Sequence, residues 1–291
     1  MSSTNKKDLE KISVVVCAKN AGKTIRRCLH SVSRTNVKEI IVVDGCSEDN
    51  TIQIAKKYTN KIYSDEGKGL GFARQLGAEK AQGEYVAYID SDTELPSENV
   101  LSKMLEELEK NGWVAIHAQL VDPRSNKTYW EEGEDFHWRN RFNIPGERRY
   151  LGTIVCLIRR DIILKYKFDP FFKGAAEDSD FYHRVGKNGY KFGVSSAVAY
   201  HYHRATFKDF IKQRIWYGKG NAIAIIKHRA WILLIAPFLI LGGGVLLSLH
   251  HRKIRYIPFY LVWSFSLMLG TIIGFLEILS EKLSRNQQVH P

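Results

Sequence analysis

The chain has 291 residues, 44% of them hydrophobic and 25% charged, proportions that exclude a disordered, collagenous or disulfide-dense protein. Its mean hydropathy of -0.26 excludes a protein lying mostly within a membrane but leaves room for an anchor. A formal net charge of +12 points to an anionic partner, whether nucleic acid, acidic lipid or a phosphorylated substrate.

Met1 to Lys11 is polar without an apolar core, so no cleavable leader is expected and residues 1–10 read as a polar tail. Residues 11–206 read as a soluble α/β domain. Ile12 to Ala18 and Ile40 to Val43 are apolar without alternation, the pattern of strands buried on both faces of a parallel sheet. Between them Ile25, Leu29 and Val32 recur at helical spacing. A helix near Ile52 to Tyr58, a strand at Lys61 to Tyr63, a helix from Phe72 to Ala81 and a strand at Tyr85 to Ile89 continue the alternation. Such units predict a doubly wound, mostly parallel sheet. Asp122 to Tyr150, rich in aromatic residues and arginine, has an irregular pattern and is expected to shape an acceptor side. Cys17, Cys28, Cys46 and Cys156 form no Cys-x-x-Cys pair, which predicts reduced thiols in a cytosolic compartment.

In residues 207–230, Lys208, Lys212, Arg214, Lys219, Lys227 and Arg229 interleave with Phe210, Ile215, Trp216 and Ile226, which predicts a basic amphipathic helix lying in a membrane interface. Residues 231–277 hold two runs free of Asp, Lys and Arg, Trp231 to Leu249 and Tyr256 to Leu276. Each approaches the roughly 20 residues that cross a bilayer core. They predict a transmembrane helical hairpin with the turn His250 to Arg255 on the far side, the alternatives being a pair of buried core helices or a hairpin lying in the interface with Gly242-Gly243-Gly244 as a break. Lys and Arg flanking the hairpin outnumber those in the turn, so the expectation is a multi-pass protein of the cell membrane with its catalytic domain on the cytoplasmic side. Residues 278–291 read as a polar tail. The basic residues concentrate around this segment and no helix-turn-helix or RNA-recognition pattern occurs, so membrane lipids, not nucleic acid, are the expected anionic partner.

Ligands of an open α/β sheet bind beyond the carboxyl ends of its strands. Asp44 follows the second strand, where a carboxylate can accept from a base N–H or a ribose hydroxyl. Asp90-Ser91-Asp92 ends the strand Tyr85 to Ile89, and alternation puts both carboxylates on one side. Such oxygens suit magnesium or manganese held together with substrate phosphates. Lys68 and Arg74, among Gly67, Gly69, Gly71 and Gly77, offer positive charge to a diphosphate, although the stretch matches neither the P-loop nor the Rossmann fingerprint. Glu177-Asp178-Ser179-Asp180 opens a helix, where acids complement the macrodipole or, with a pKa raised by burial, supply a general base. His201 and His203, after a strand expected at Val198 to Tyr202, are candidates for a further metal or phosphate ligand.

Taken in order, these segments resemble the family 2 glycosyltransferases, whose fold is GT-A. Ile12 through Asn20 and Ile25-x-x-Cys28-Leu29-x-Ser31-Val32 look like that family's first strand and helix, and Glu39 to Asp44 with Ser47, Asp49 and Thr51 looks like its nucleotide-binding segment. Gly71-x-Ala73-Arg74, Gly77 and Ala81-x-Gly83-Glu84-Tyr85 through Asp92 match most closely, and Glu177 to Val185 with Gly189-Tyr190-Lys191 is similar to the segment that carries the base. The sequence departs from the pattern at Cys17-Ala18-Lys19, Gly45 and Gln75, and Gln213-x-x-Trp216 only partly resembles the motif of processive synthases. The resemblance implies an inverting, metal-dependent transfer from a UDP- or GDP-linked sugar to a hydroxyl or phosphate of a lipid-linked or glycan acceptor. Asp44 and Asp90 would hold the nucleoside, Lys68 and Arg74 the diphosphate, and Asp92 with His203 a manganese or magnesium ion. Asp178 would be the base, with Glu177 and Trp216 on the acceptor side. A non-catalytic membrane scaffold is the alternative, disfavoured by three acids that a scaffold would not need.

Overall fold

The computed structural model describes residues 6–172 and 174–289, which form two compact units. The first takes the chain up to Arg124, then residues 138–172 and 177–202; the second takes residues 125–137, 174–176 and the chain from His203. The expected boundary at 206 therefore falls at 202, and two inner segments join the C-terminal part.

In the first unit α1 (Lys6–Leu9) leads into β1 (Ile12–Ala18), α2 (Ile25–Ser33), β2 (Glu39–Asp44), α3 (Thr51–Ala55), β3 (Ile62–Ser64), α4 (Leu70–Lys80) and β4 (Tyr85–Ile89). There follow β5 (Thr93–Glu94), α5 (Val100–Asn111) and β6 (Ala115–Val121). After α6 (Tyr129–Arg141), which runs from the second unit into the first, come β7 (Gly146–Arg148), β8 (Val155–Arg159), α7 (Arg160–Tyr166), α8 (Glu177–Gly186) and β9 (Phe192–His201).

The strand order is β3-β2-β1-β4-β8-β6-β9-β5, with β7 also on β9. Strands β1 to β4 are parallel, as their unbroken apolar runs predict: Val14, Val15 and Val16 are fully buried, with Val86 and Ala87 beside them. Beyond β4 the expectation of a mostly parallel sheet fails. β8 lies antiparallel to both β4 and β6, and β5 and β7 are antiparallel to β9, so the sheet is mixed. The physical reason is the insertion of β8, which pairs antiparallel along the full length of β4 and separates it from β6 and β9, which are parallel to each other and run in the direction of β4. Chain order departs from β1 to β2 on one side and to β4 on the other, which makes the carboxyl ends of these three strands the switch point where such sheets bind ligands.

The second unit contains the first part of α6, α9 (Phe207–His228), α10 (Ala236–His250) and α11 (Ile257–Val289). The Thr206 hydroxyl caps α9 by accepting from Asp209 N at 3.1 Å. Arg214 on α9 is buried, paired with Glu134 of α6, its guanidinium 3.8 Å from the centre of the Trp263 ring. Among the described residues one helical segment, Ile254–Lys282, is long and apolar enough to cross a membrane. The other expected span is not a helix of that length. Trp231–Leu234 form a 3-10 turn and only Ala236–His250 is α-helical, about 22 Å against a hydrocarbon core of about 30 Å. The segment expected to be a C-terminal tail continues α11 to Val289, and residues 1–5, 290 and 291 lie outside the described residues.

Candidate active site

The loops after β1 and β2 are stitched together by side chains. Asn20 N donates to Ser47 Oγ at 2.9 Å, Ala21 N to Thr51 Oγ1 at 2.8 Å and Gly22 N to Asp49 Oδ2 at 2.9 Å. Ser47, Asp49 and Thr51 thus fix the turn that follows Asp44. Asp44 itself is buried; its Oδ2 accepts from Ser47 N at 2.9 Å, while its Oδ1 has no hydrogen-bond partner. A buried carboxylate oxygen left unpaired is costly unless a ligand donor meets it.

Asp90, Ser91 and Asp92 form a turn, not the end of a strand, so strand alternation does not align the two carboxylates. Thr93 N and Thr93 Oγ1 both donate to the Asp90 carbonyl, at 3.0 and 2.7 Å. Asp92 is fixed from the other side, where β5 pairs with β9 and Tyr202 N donates to its carbonyl. This pairing brings His201 to Asp92, with Nε2 3.7 Å from Oδ1. His201 ends β9 where a strand Val198 to Tyr202 was expected. His203 lies two residues further on, buried, in the second unit.

Arg74, expected beside a diphosphate, lies under the site. It is 3% exposed and bonds inward: to the Glu177 carboxylate, to the Thr153 carbonyl at 2.7 Å and to Asp90 Oδ1 at 3.5 Å. Gly71, one turn earlier, lets α4 approach so closely; a Cβ there would stand 3.0 Å from the Phe172 carbonyl and 3.4 Å from Glu177 Cβ. Burial opposes the charge of Arg74, but Glu177, Asp90 and Asp178 outweigh it and raise its pKa above the usual value. Glu177, expected on the acceptor side, is 2% exposed and is the buried partner of Arg74. Lys68 is exposed, pairs with Glu66 at 2.6 Å and places its ammonium 4.7 Å from the Phe72 ring.

Successive residues of a helix point about 100° apart, and the first turn of α8 sorts its acids accordingly. Glu177 is taken by Arg74, and Asp180 is held by Arg184 through Nε at 2.9 Å and Nη2 at 2.7 Å. Asp178 remains half-buried, accepting from Ser179 N at 2.7 Å. Burial raises Asp90 well above the ordinary carboxylate range; Arg74 opposes this, while Asp92 and Asp178 add to it. The site is therefore a cluster of acids at the switch point whose members repel one another.

Among the described residues no group of three or more His, Cys, Asp or Glu is arranged to hold a metal on its own. Hard oxygen donors of this kind nevertheless fit magnesium or manganese, which commonly take one or two carboxylates and complete their shell with substrate phosphates and water. Trp216 lies on α9 in the second unit, exposed, its Nε1 2.8 Å from where a Cβ on Gly174 would be. With Arg204, Asp209, Lys212 and Gln213 it lines a pocket of about 360 Å³. Sequence reasoning missed the inward role of Arg74, although its place between Ala73 and Ala78 on a buried helix face was a signal.

A family model for glycosyl transferase family 2 matches residues 13–168. The cholesterol galactosyltransferase of Borreliella burgdorferi is 38% identical over 105 residues, 34% of this chain and 28% of that protein, so the chain spans under a third of that relative's length. The glycosyltransferase AglE of Haloferax volcanii is 24% identical over 222 residues, 72% of each chain. The mannosyltransferase PcManGT of Pyrobaculum calidifontis, solved with GDP-Man and Mn2+, superposes with a TM-score of 0.66 at 15% identity, over 92% of this chain and 87% of that one. At that identity the likeness is one of fold.

Proposed function

Because the chain belongs to glycosyl transferase family 2, we propose that it is an inverting glycosyltransferase that moves a sugar from a UDP- or GDP-linked donor to a lipid-linked or surface-glycan acceptor at a membrane. The observation that carries this reading is the sorting of acids around Arg74: Glu177 and Asp180 are held by arginines, and Asp178 is left half-buried within electrostatic reach of Asp90.

Asp44 Oδ1 accepts from the donor's base or ribose, satisfying an oxygen otherwise buried without a partner. Asp90, held by Arg74, receives the donor beside it. Asp178 takes the proton of the acceptor hydroxyl as its oxygen attacks the anomeric carbon. The bond from that carbon to the diphosphate oxygen breaks, the diphosphate leaves with the electron pair, and one displacement inverts the configuration. Asp92 would hold a manganese or magnesium ion, which when bound neutralises charge on the departing diphosphate.

Calorimetric titration with UDP and GDP, each with and without manganese, tests the donor site, and Asp178→Asn tests the chemistry. Asp178→Asn is expected to bind nucleotide like the wild type and to transfer sugar about 10²–10⁴-fold more slowly. Transfer at the wild-type rate would remove Asp178 from the role of base. Failure of a folded sample to bind either nucleotide would remove the donor assignment.

A further inference from the structure

Helices α9 and α11 run side by side in the same direction. Phe210 packs on Phe259 and Trp263, Ile215 meets Gly270, and Ala222 meets Gly274. Gly218, Gly270 and Gly274 let the two backbones touch, as small residues do between closely packed helices. α10 runs the opposite way along the first turns of α11. The Ser264 hydroxyl donates to the Pro237 carbonyl at 2.6 Å, and Gly244 lies against the Tyr260 ring. The turn between α10 and α11 is held on α6. The Tyr129 hydroxyl donates to the Arg255 carbonyl at 2.8 Å, Arg255 pairs with Glu132 at 2.7 Å, and Phe136 stacks on Tyr256.

These contacts decide which parts can enter lipid. α6 carries Glu131, Glu132, Glu134 and Asp135, and although Glu134 is paired with Arg214 and Asp135 with Lys127, a helix so charged is costly to carry into lipid. The turn it holds therefore stays on its side, contrary to the expected hairpin with a far-side turn. If α11 crossed a bilayer, its companion α9 would carry Lys212 and Lys219 into hydrocarbon, at about 3 kcal/mol each. The second unit keeps large apolar side chains exposed. On α11 Leu261, Phe265, Leu269, Ile272 and Leu276 are exposed along one stripe, and on α10 Phe238, Leu239 and Leu246 are exposed. Lys208, Lys212, Lys227, Arg229, Arg252 and Lys253 supply the flanking positive charge. A helix with one apolar face and a basic companion lies in the interface plane instead of crossing it.

We propose that the second unit is a one-leaflet anchor, which seats the exposed faces of α10 and α11 in the surface of an anionic bilayer and keeps both the α10–α11 turn and the far end of α11 on the side of α6. This rests on the membrane attachment proposed above. The full chain carries its own reference, because Cys46 in the first unit is an exposed free thiol.

The test labels sealed membrane vesicles with a membrane-impermeant maleimide, with mass spectrometry to identify which cysteine reacts. In vesicles where Cys46 reacts, Arg252→Cys and Lys282→Cys are expected to react equally well before detergent is added. Reaction of Lys282→Cys only after detergent overturns the one-leaflet anchor in favour of a crossing helix and leaves attachment standing. In a parallel assay, flotation with phosphatidylcholine vesicles is expected to rise several-fold when phosphatidylglycerol is included. Equal flotation with neutral vesicles overturns the anionic preference, and no flotation with either overturns attachment itself.

Discussion

Removing the cation that Glu177 was built around should unfold the first unit more readily than any other single change at the site. In Arg74→Met the methionine fills much of the space of the arginine stem but leaves Glu177, 2% exposed, with a buried carboxylate and no counter-charge. Breaking a buried ion pair from one side costs about 3–5 kcal/mol. The lost bond to the Thr153 carbonyl, 2.7 Å long, adds about 1 kcal/mol. For a unit of this size that lowers the melting temperature by roughly 10 °C, at about 2–4 °C per kcal/mol. Glu177→Gln in the same chain removes the stranded charge. The double variant Arg74→Met/Glu177→Gln should therefore recover about 2 kcal/mol of the loss, a coupling within the range measured for contacting residues. The assay is urea unfolding of the four proteins followed by tryptophan fluorescence. An Arg74→Met protein within about 1 kcal/mol of wild type, or a double variant as unstable as the sum of the singles, would refute the buried pair as the strut between α4 and α8.

Burial pushes the imidazole of His117, which stacks on Trp138, down to about 4. Its folded-state pKa is thus below the unfolded value near 6.5, so stability is intact above pH 6.5 and falls as pH drops toward 4, by up to about 3 kcal/mol. His117→Phe should flatten that slope, and an unchanged slope in unfolding measured from pH 7 to 4.5 would assign it elsewhere. Asp44→Asn keeps the shape but loses a charged acceptor, worth about 1–2 kcal/mol, so calorimetry should show nucleotide binding weakened about 5- to 30-fold, and unchanged affinity would take the base or ribose away from Asp44. Gly270→Leu places its Cβ against the Ile215 backbone and should destabilise the second unit by about 1–3 kcal/mol or more. Gly242→Ala, with no atom within 4 Å of the new Cβ, should be neutral or slightly stabilising in the same thermal assay of detergent-purified protein.

What the sequence determined by itself was the part governed by local pattern. Unbroken apolar runs placed β1, β2 and β4 within a residue of their observed ends, because a strand buried on both faces cannot alternate. The position of Asp44 and of the Asp90 to Asp92 turn at strand ends followed, and with them the switch point. Tertiary structure decided everything that depends on partners distant in the chain. It inserted an antiparallel strand beside β4, because β8 pairs there from a segment that comes later in the sequence. It turned Arg74 inward, because Glu177, a hundred residues away by sequence, supplies its counter-charge. It paired Glu177 and Asp180, the neighbours of Asp178 in a run of three acids, with arginines that no local pattern assigns to them. And it broke the first of two apolar runs into a 3-10 turn and a helix of 15 residues, which hydropathy alone does not report because it measures how apolar a segment is, not where its helix begins.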